Sequence, residues 1–349
     1  MHNPLPVTDT RPAPGRRPRA LLAMHPGLAP RLIGDGTMHR LSGLADLDPA
    51  LVADDFAAPQ AAAALSRAEI IISCWGCPPL TEEVLAVAPR LRAVIHAAGS
   101  VKHHVTEACW RRGIQVTSAA RANARPVAEY TVAFVLLAGK DLLRIRDDYR
   151  QRRTGHDWHV AYAHAGNYGR TVGVVGASRI GRRVLELLRP HDLELLVHDP
   201  YLLPGEAERL GATAVGIDEL CRRSDVVSLH APELPATRQL ISRNRLAMMR
   251  AGATLINTSR GSLVDQEALT EELVSGRLDA VLDVTVPWVL PADSPLYDLP
   301  NVVLTPHIAG SLGNELHRMA EAAADELERY VTGRPFAHPV SAGEWERSA

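Results

Sequence analysis

The sharpest chemical signal in the sequence is the run Gly173-Val-Val-Gly176-Ala-Ser178-Arg179-Ile180-Gly181, which directly follows a strand pattern and opens a helix pattern. A tight glycine turn ending on a helix N-terminus presents backbone N–H groups and partial positive charge, as a pyrophosphate site requires. Gly176 permits the turn, and Gly181 permits close packing of helix on strand. Ser178 stands where glycine is usual, because a Cβ there crowds the phosphates; serine is the smallest polar substitute and offers its hydroxyl to a phosphate oxygen. Asp199 closes the next strand in Val197-His198-Asp199-Pro200. A carboxylate there accepts both ribose hydroxyls of NAD and repels the 2′-phosphate of NADP. No arginine follows closely to receive that phosphate, so the pattern selects NAD as cofactor. The competing reading is a glycine turn in a cofactor-free domain of the same type, and Asp199 speaks against it.

Other chemistries lack their residues. There are only two lysines, Lys102 and Lys140, against thirty-six arginines. Asp141 follows Lys140, so no G-K-[ST] phosphate loop exists, and a Schiff-base mechanism has few candidates. The fifteen histidines form no H-E-x-x-H and no Cys/His ligand set, which argues against metal catalysis. Four cysteines are too few for a disulfide framework in 349 residues. Cys74-Trp-Gly-Cys77 has no second pair for zinc and ends a strand before Pro78-Pro79, so it reads as structural. His103-His104 and His156-x-x-His159 lack partner carboxylates and read as surface or pocket-edge residues. Trp158, Tyr162 and His164 read as packing residues, with a neighbouring subunit or the substrate mouth as the alternative.

The elements that must position these residues follow a repeating grammar. At 349 residues, 46% apolar and 22% charged, the chain is long enough for two domains with separate cores. A net charge of −2 gives no footprint for nucleic acid and no polybasic membrane anchor. The best apolar run, Val132–Ala138, is far short of the ~20 residues of a membrane span. Leu21–Met24, flanked by Pro and Arg, is no signal-peptide core, and the reading places the protein in the cytoplasm. Residues 1–19, rich in Pro and Arg, are predicted to be a disordered tail. From Ala20 to Thr117 short apolar runs alternate with amphipathic segments, with strands at 19–24, 70–74, 93–96 and 115–117. One long helix is predicted over 126–152, with Pro126 in its first turn. A second series follows, with strands at 171–176, 193–199, 224–230, 253–259, 279–284 and 301–307. A final helix over 313–332 has no strand after it and is expected to return to the first unit.

Several motifs, in order, resemble the D-2-hydroxyacid dehydrogenases. They are Leu91-Arg-Ala-Val-Ile-His-Ala-Ala-Gly99-Ser100, Ala122-Asn-Ala-Arg-Pro-Val-Ala-Glu129, the glycine fingerprint, Ser224-Asp-Val-Val-Ser-Leu-His230-Ala-Pro232, Ile256-Asn-Thr258-Ser-Arg260-Gly-Ser-Leu-Val-Asp265, Leu282-Asp283-Val284 and Leu304-Thr-Pro-His307-Ile-Ala-Gly310. The resemblance runs from about residue 70 to 331 and implies an α/β fold of two Rossmann-like domains. An NAD-binding domain, 123–310, would be inserted into a discontinuous flavodoxin-like substrate domain, 20–122 and 311–349. It also implies a homodimer, with the long helix linking the domains and forming part of the interface. Cofactor contacts are implied for Gly176, Ser178, Arg179, Ile180, Gly181, Asp199, His230, Pro232, Thr258, Asp283, His307 and Gly310. The amides near Gly99 and Ser100 would bind the substrate carboxylate.

Reducing a 2-oxo acid needs a cation for the carboxylate, an acid for the developing alkoxide, and a nicotinamide on one face. Arg260 suits the first task, because its planar fork binds carboxylates bidentately and stays charged. His307 suits the second, with an ordinary pKa of about 6.5 near working pH. The family normally places a glutamate five residues after the Asp of L-D-V, paired with the catalytic histidine. Here that position is Trp288, which would border the substrate, and no other acid lies between Asp283 and Asp293. Without the carboxylate, His307 is expected to titrate near or below its free value. Glu315 is an alternative source of the missing acid. Formate dehydrogenase, a relative, also lacks the glutamate, but its glutamine is absent here. Two readings follow: an NAD-dependent dehydrogenase of small D-2-hydroxy acids, made slow or atypical by Trp288, or an NAD(H)-binding sensor or interaction protein with little catalysis.

Overall fold

Strands that are apolar at nearly every position must be covered on both faces, which parallel sheets flanked by helices achieve. The structure, a computed structural model describing residues 16–347, builds two such sheets in two compact units, one of 16–123 with 311–347 and the other of 124–310. The first unit contains β1 (Ala20–Ala23), β2 (Val52–Ala53), β3 (Ile70–Ser73), β4 (Ala93–His96) and β5 (Gln115–Ser118). They lie parallel in the order β2-β1-β3-β4-β5, the flavodoxin-like arrangement with its switch point between β1 and β3. Alternate residues feed opposite cores. Leu22, Ile72 and Ile95 pack against Met319, Ala323 and Leu327 of the helix Leu316–Val331, whereas Leu21, Ile71 and Val94 face Leu65, Leu85 and Ile114.

The second unit contains β6 (Arg170–Val175), β7 (Leu193–His198), β8 (Thr213–Ala214), β9 (Val226–Leu229), β10 (Thr254–Asn257), β11 (Asp279–Leu282) and β12 (Val302–Leu304). All are parallel, in the order β8-β7-β6-β9-β10-β11-β12, which is the dinucleotide-fold arrangement with its switch point between β6 and β9. Register aligns the strand ends: Val175 pairs with Leu229, Leu229 with Asn257, Asn257 with Leu282, and Leu282 with Leu304. The next residue on each strand is therefore Gly176, His230, Thr258, Asp283 or Thr305, all at one carboxyl edge. Among the described residues no helix is long and apolar enough to cross a membrane.

Three expectations need correction. The helix predicted over 126–152 is two helices, Ala120–Gly139 and Leu142–Arg152. The chain breaks at Asp141, whose φ is 49°, and at Gly139, where a Cβ would lie 1.9 Å from Asn167 Oδ1. Pro126 sits inside the first of these helices rather than in its first turn, because Ala120–Arg125 extend it backwards. The chain also continues past its last long helix: Pro339–Val340 pairs antiparallel with β5, and the helix Ala342–Arg347 follows. Of the predicted tail, residues 1–15 lie outside the described residues. Its end is held: Arg16 pairs with Glu69 at 2.6 Å, Arg17 donates to Ser42 O at 2.8 Å, and Arg19 bridges to Asp46.

Gly181 shows how closely the cofactor-type turn is packed: a Cβ there would lie 2.0 Å from Gly176 O. Gly181→Ala should destabilise the second unit by about 1–3 kcal/mol through overpacking, read as a lower urea midpoint at unchanged m-value.

Candidate active site

The glycine turn leaves β6 with Gly176 at φ 96°, close against the end of β9, where a Cβ would lie 2.5 Å from Ala231 N. The helix Arg179–Leu188 starts at Ser178, whose Oγ accepts from Gly181 N–H at 3.3 Å. A hydroxyl that accepts from the helix keeps its own proton to donate, which suits an anion at this N-terminus. Asp199 follows β7 and reaches back to the turn: Oδ2 accepts from Ala177 N–H at 2.7 Å, and Oδ1 from Tyr201 N–H at 2.8 Å. His230 is buried, with Nε2 at 2.8 Å from Ser228 Oγ and Nδ1 without a partner; burial pushes its pKa down to about 3, so it is neutral. Pro232 C=O accepts from Thr237 Oγ1 at 2.6 Å, which shapes the loop beyond β9. These features fit a dinucleotide: a turn with no room for a side chain, the N-terminus of a helix, and a carboxylate at the adjoining strand end.

The loop after β10 carries Arg260. Asn257 shapes it by donating from Nδ2 to Arg260 O at 2.9 Å and accepting Ser259 N–H at 3.1 Å. Gly261 is required, because a Cβ would lie 2.5 Å from the carbonyl carbon of Thr285 in the next loop. The Arg260 guanidinium donates to Ser259 O at 2.8 Å and stands 3.9 Å from Glu233, leaving most of its five donors for a ligand. Thr258 is committed differently. Thr131 gives its proton to Val127 O, so the Thr258 hydroxyl donates to Thr131 at 3.2 Å and can only accept from a ligand.

His307 lies on the loop after β12 with φ 58°, an uncommon backbone state for a residue with a side chain. Asp283, only 1% exposed, holds this loop. Its Oδ1 accepts from Thr305 Oγ1 and Ile308 N–H at 2.7 Å each, and its Oδ2 from Ala309 N–H at 2.9 Å. Its backbone carbonyl accepts from His307 N–H at 2.9 Å. Tyr130 O–H extends the chain by donating to Thr305 Oγ1 at 3.0 Å. Asp283, expected to meet the cofactor, thus has both oxygens engaged in fixing the histidine loop.

Trp288 packs on His307, with ring centroids 4.6 Å apart and planes tilted by 34°. Its loop is clamped by Gln266, which accepts from Val286 N–H at 2.8 Å and donates to Val286 O at 2.5 Å, and by Thr285 Oγ1 donating to Pro287 O at 2.8 Å. The indole remains 66% exposed. His307 Nδ1 is buried and has no partner. Burial lowers the pKa of His307; Asp283 pulls it up, and the Arg260 charge pushes it down again. The second unit therefore brings Arg260, Asp283, Trp288 and His307 together.

Gly99 and Ser100 belong to the first unit, on the loop after β4, where Ser100 Oγ accepts from Lys102 N–H at 3.4 Å. Glu315 belongs to that unit too and accepts from Leu312 N–H at 3.1 Å, capping the turn before the last long helix. Gly310 ends the second unit, and Arg179 and Ile180 open the fingerprint helix. Cys74 and Cys77 are buried free thiols, and burial pushes Cys74 up to about 12. His104, read from the sequence as a surface or pocket-edge residue, is 2% exposed, with Ser73 of β3 as its partner. Asn257 and Gln266 act purely by holding backbone, and only their places at a strand end and a helix start could have marked them.

Residues 132–309 match the family model for D-isomer specific 2-hydroxyacid dehydrogenase, NAD binding domain. The chain is 32% identical over 291 residues to D-3-phosphoglycerate dehydrogenase of Mycobacterium bovis, covering 82% of this chain and 52% of that one. It thus spans about half the length of the first curated relatives it matches. It is 34% identical over 258 residues to glyoxylate reductase of Korarchaeum cryptofilum, covering 73% and 77% of the two chains. Its fold is similar to D-lactate dehydrogenase from Aquifex aeolicus complexed with NAD and lactic acid, at TM-score 0.68 and 28% identity over 90% of this chain and 96% of that one.

Replacing Asp283 by Asn would turn one acceptor oxygen into a donor facing N–H groups. Asp283→Asn should cost about 1–3 kcal/mol for each buried donor left unpaired. It should lower the thermal midpoint and release the His307 loop, read as faster amide exchange at Ile308 and Ala309.

Proposed function

Because this chain belongs to the D-isomer specific 2-hydroxyacid dehydrogenases and carries their NAD-binding domain, we propose that it interconverts a small D-2-hydroxy acid and its 2-oxo acid. The bound nicotinamide supplies or accepts the hydride at C2. The chain's own residues do the rest. Ala177–Gly181 cradle the pyrophosphate, and Asp199 takes the adenosine ribose hydroxyls. His230 and Pro232 border the cofactor, with Thr258, Asp283 and Gly310 beside it. Arg260 grips the substrate carboxylate and polarises the carbonyl; the family resemblance assigns the Gly99–Ser100 amides a carboxylate-binding role as well. His307 gives its proton to the developing alkoxide, or removes one from the hydroxy acid.

The observation that carries this reading is that Arg260, on the loop after β10, and His307, on the loop after β12 that Asp283 holds, leave the same carboxyl edge of one sheet. The homodimer that the resemblance implies is part of the same proposal. The alternative, an NAD(H)-binding protein with little turnover, is favoured by one feature, the unpaired Nδ1 of His307. NADH fluorescence with a panel of 2-oxo acids from pH 5 to 9 separates the two: cofactor binding without turnover would establish the silent reading.

The sign of the pH dependence follows from His307. Its folded pKa lies below the ordinary value, so at pH 7 it is mostly neutral, the form that takes a proton. Reduction needs the protonated form, and kcat/KM for reduction should rise as pH falls through 6.5 toward the lowered pKa. Oxidation should be flat above neutrality. A reduction profile centred well above pH 7 would refute this.

Trp288→Glu should reverse the bias. A carboxylate beside imidazole raises its pKa by about 1–3 units, so reduction at pH 7.5 should gain about tenfold or more and its inflection should move upward. An unchanged rate and profile would show that the missing acid does not limit turnover.

A further inference from the structure

The carboxyl edge of the first unit's sheet holds a buried polar cluster that the reading above leaves unused. Ser73 ends β3, His96 ends β4, and His104 closes the loop that follows. Ser73 is fully buried, and the two histidines are each 2% exposed. Ser73 Oγ lies 2.9 Å from His96 Nδ1 and 3.0 Å from His104 Nε2, with the imidazole rings 4.5 Å apart. Serine with histidine at such distances has the parts of an activated nucleophile. Burial argues otherwise: the hydroxyl is inaccessible, and desolvation holds His104 down to about 4 and His96 well below its ordinary value.

The cluster works instead as a tie. With both rings neutral, the single Ser73 proton goes to one imidazole, and the hydroxyl accepts N–H from the other. The tie spans the segment 97–103, with His96 before it and His104 after it, and Gly99 and Ser100 lie between. The backbone reinforces both ends: Ala97 N–H donates to Ser73 O at 2.7 Å, and Leu80 N–H donates to His104 O at 2.8 Å. Residues 97–103, which include Gly99 and Ser100, are thereby bracketed by two rings fixed to one serine.

We propose that His96, locked through Ser73 to His104, is a positioning residue that holds the Gly99–Ser100 turn in the shape that receives the substrate carboxylate. The proposal rests on the dehydrogenase reading above, because it takes the carboxylate role of that turn from it. An apolar side chain at position 96 could fill the same volume but could not tie the turn to β3.

Steady-state kinetics and oxamate titration of the NADH complex test it. Ser73→Ala and His96→Ala should each raise KM for the 2-oxo acid and the oxamate Kd about tenfold, with kcat changed less than about threefold and NADH affinity unchanged. His96→Asn, whose amide keeps a bond to Ser73, should recover most of the loss. If Ser73→Ala does not fold, His104→Ala carries the same expectation by freeing the far end of the segment. Unchanged KM in these variants overturns the inference. So does a parallel loss of NADH affinity, or no rescue by asparagine. A wild-type protein that neither turns over a 2-oxo acid nor binds oxamate overturns the dehydrogenase reading itself and takes this inference with it.

Discussion

The carboxylate of Asp283, only 1% exposed, lies in a place where an unpaired charge would cost several kcal/mol. Three donors converge on it, from Thr305 Oγ1, Ile308 N and Ala309 N, and every one belongs to the loop after β12. Burying the charge is therefore possible only if that loop takes one shape. The same shape forces His307 into a left-handed backbone conformation, a strain that the charge-assisted hydrogen bonds offset. Removing the carboxylate would release the histidine, whereas changing the histidine would leave the loop intact. The dependence runs one way, from the buried charge to the exposed chemistry.

Parallel register delivers the remaining groups to that loop. A residue immediately past a registered strand end emerges beside its counterparts on neighbouring strands, so residues far apart in sequence share one edge without any long-range search. Two glycines set how closely neighbouring loops approach: Gly176 against Ala231, and Gly261 against Thr285. The second contact joins the arginine loop to the one that carries Trp288. The position of the indole is thus coupled to the position of the guanidinium through backbone alone.

Much of this was legible in the sequence, for physical reasons that also mark the limits. Strands buried on both faces are near-continuous apolar runs, so the longer strands stood out, and the motifs at their ends named Arg260, Asp283 and His307. Two-residue strands such as Val52–Ala53, Thr213–Ala214 and Pro339–Val340 have no periodicity to read. The break near Asp141 was hidden because apolar spacing continues through it, and the decisive contact, Asn167 against Gly139, comes from 28 residues away. The Ser73–His96–His104 cluster was invisible for the same reason. A histidine is read by its neighbours in sequence, and the partner of His104 lies on a different strand. The role of Asp283 as an acceptor for its own unit's loop depends on backbone N–H directions that no residue pattern encodes.

The exchange of a carboxylate for an indole beside His307 can be weighed with magnitudes. An aromatic face within about 6 Å of a cation attracts it by about 0.5–1 kcal/mol where the pair is exposed, as Trp288 largely is. One pKa unit corresponds to about 1.4 kcal/mol, so the indole returns less than one unit of the roughly one to three that a neighbouring carboxylate supplies. The indole also has no acceptor for Nδ1–H, and that nitrogen is left buried and unpaired. Desolvation therefore outweighs the attraction, in line with the downward direction at His307, and the Arg260 charge adds to it. Asp283 also acts upward on the ring, but its two oxygens are already committed to the loop. Charging the imidazole must then be driven by solvent proton activity or by the developing charge of a bound substrate, because the upward pull of Asp283 and the indole does not offset desolvation and the Arg260 charge.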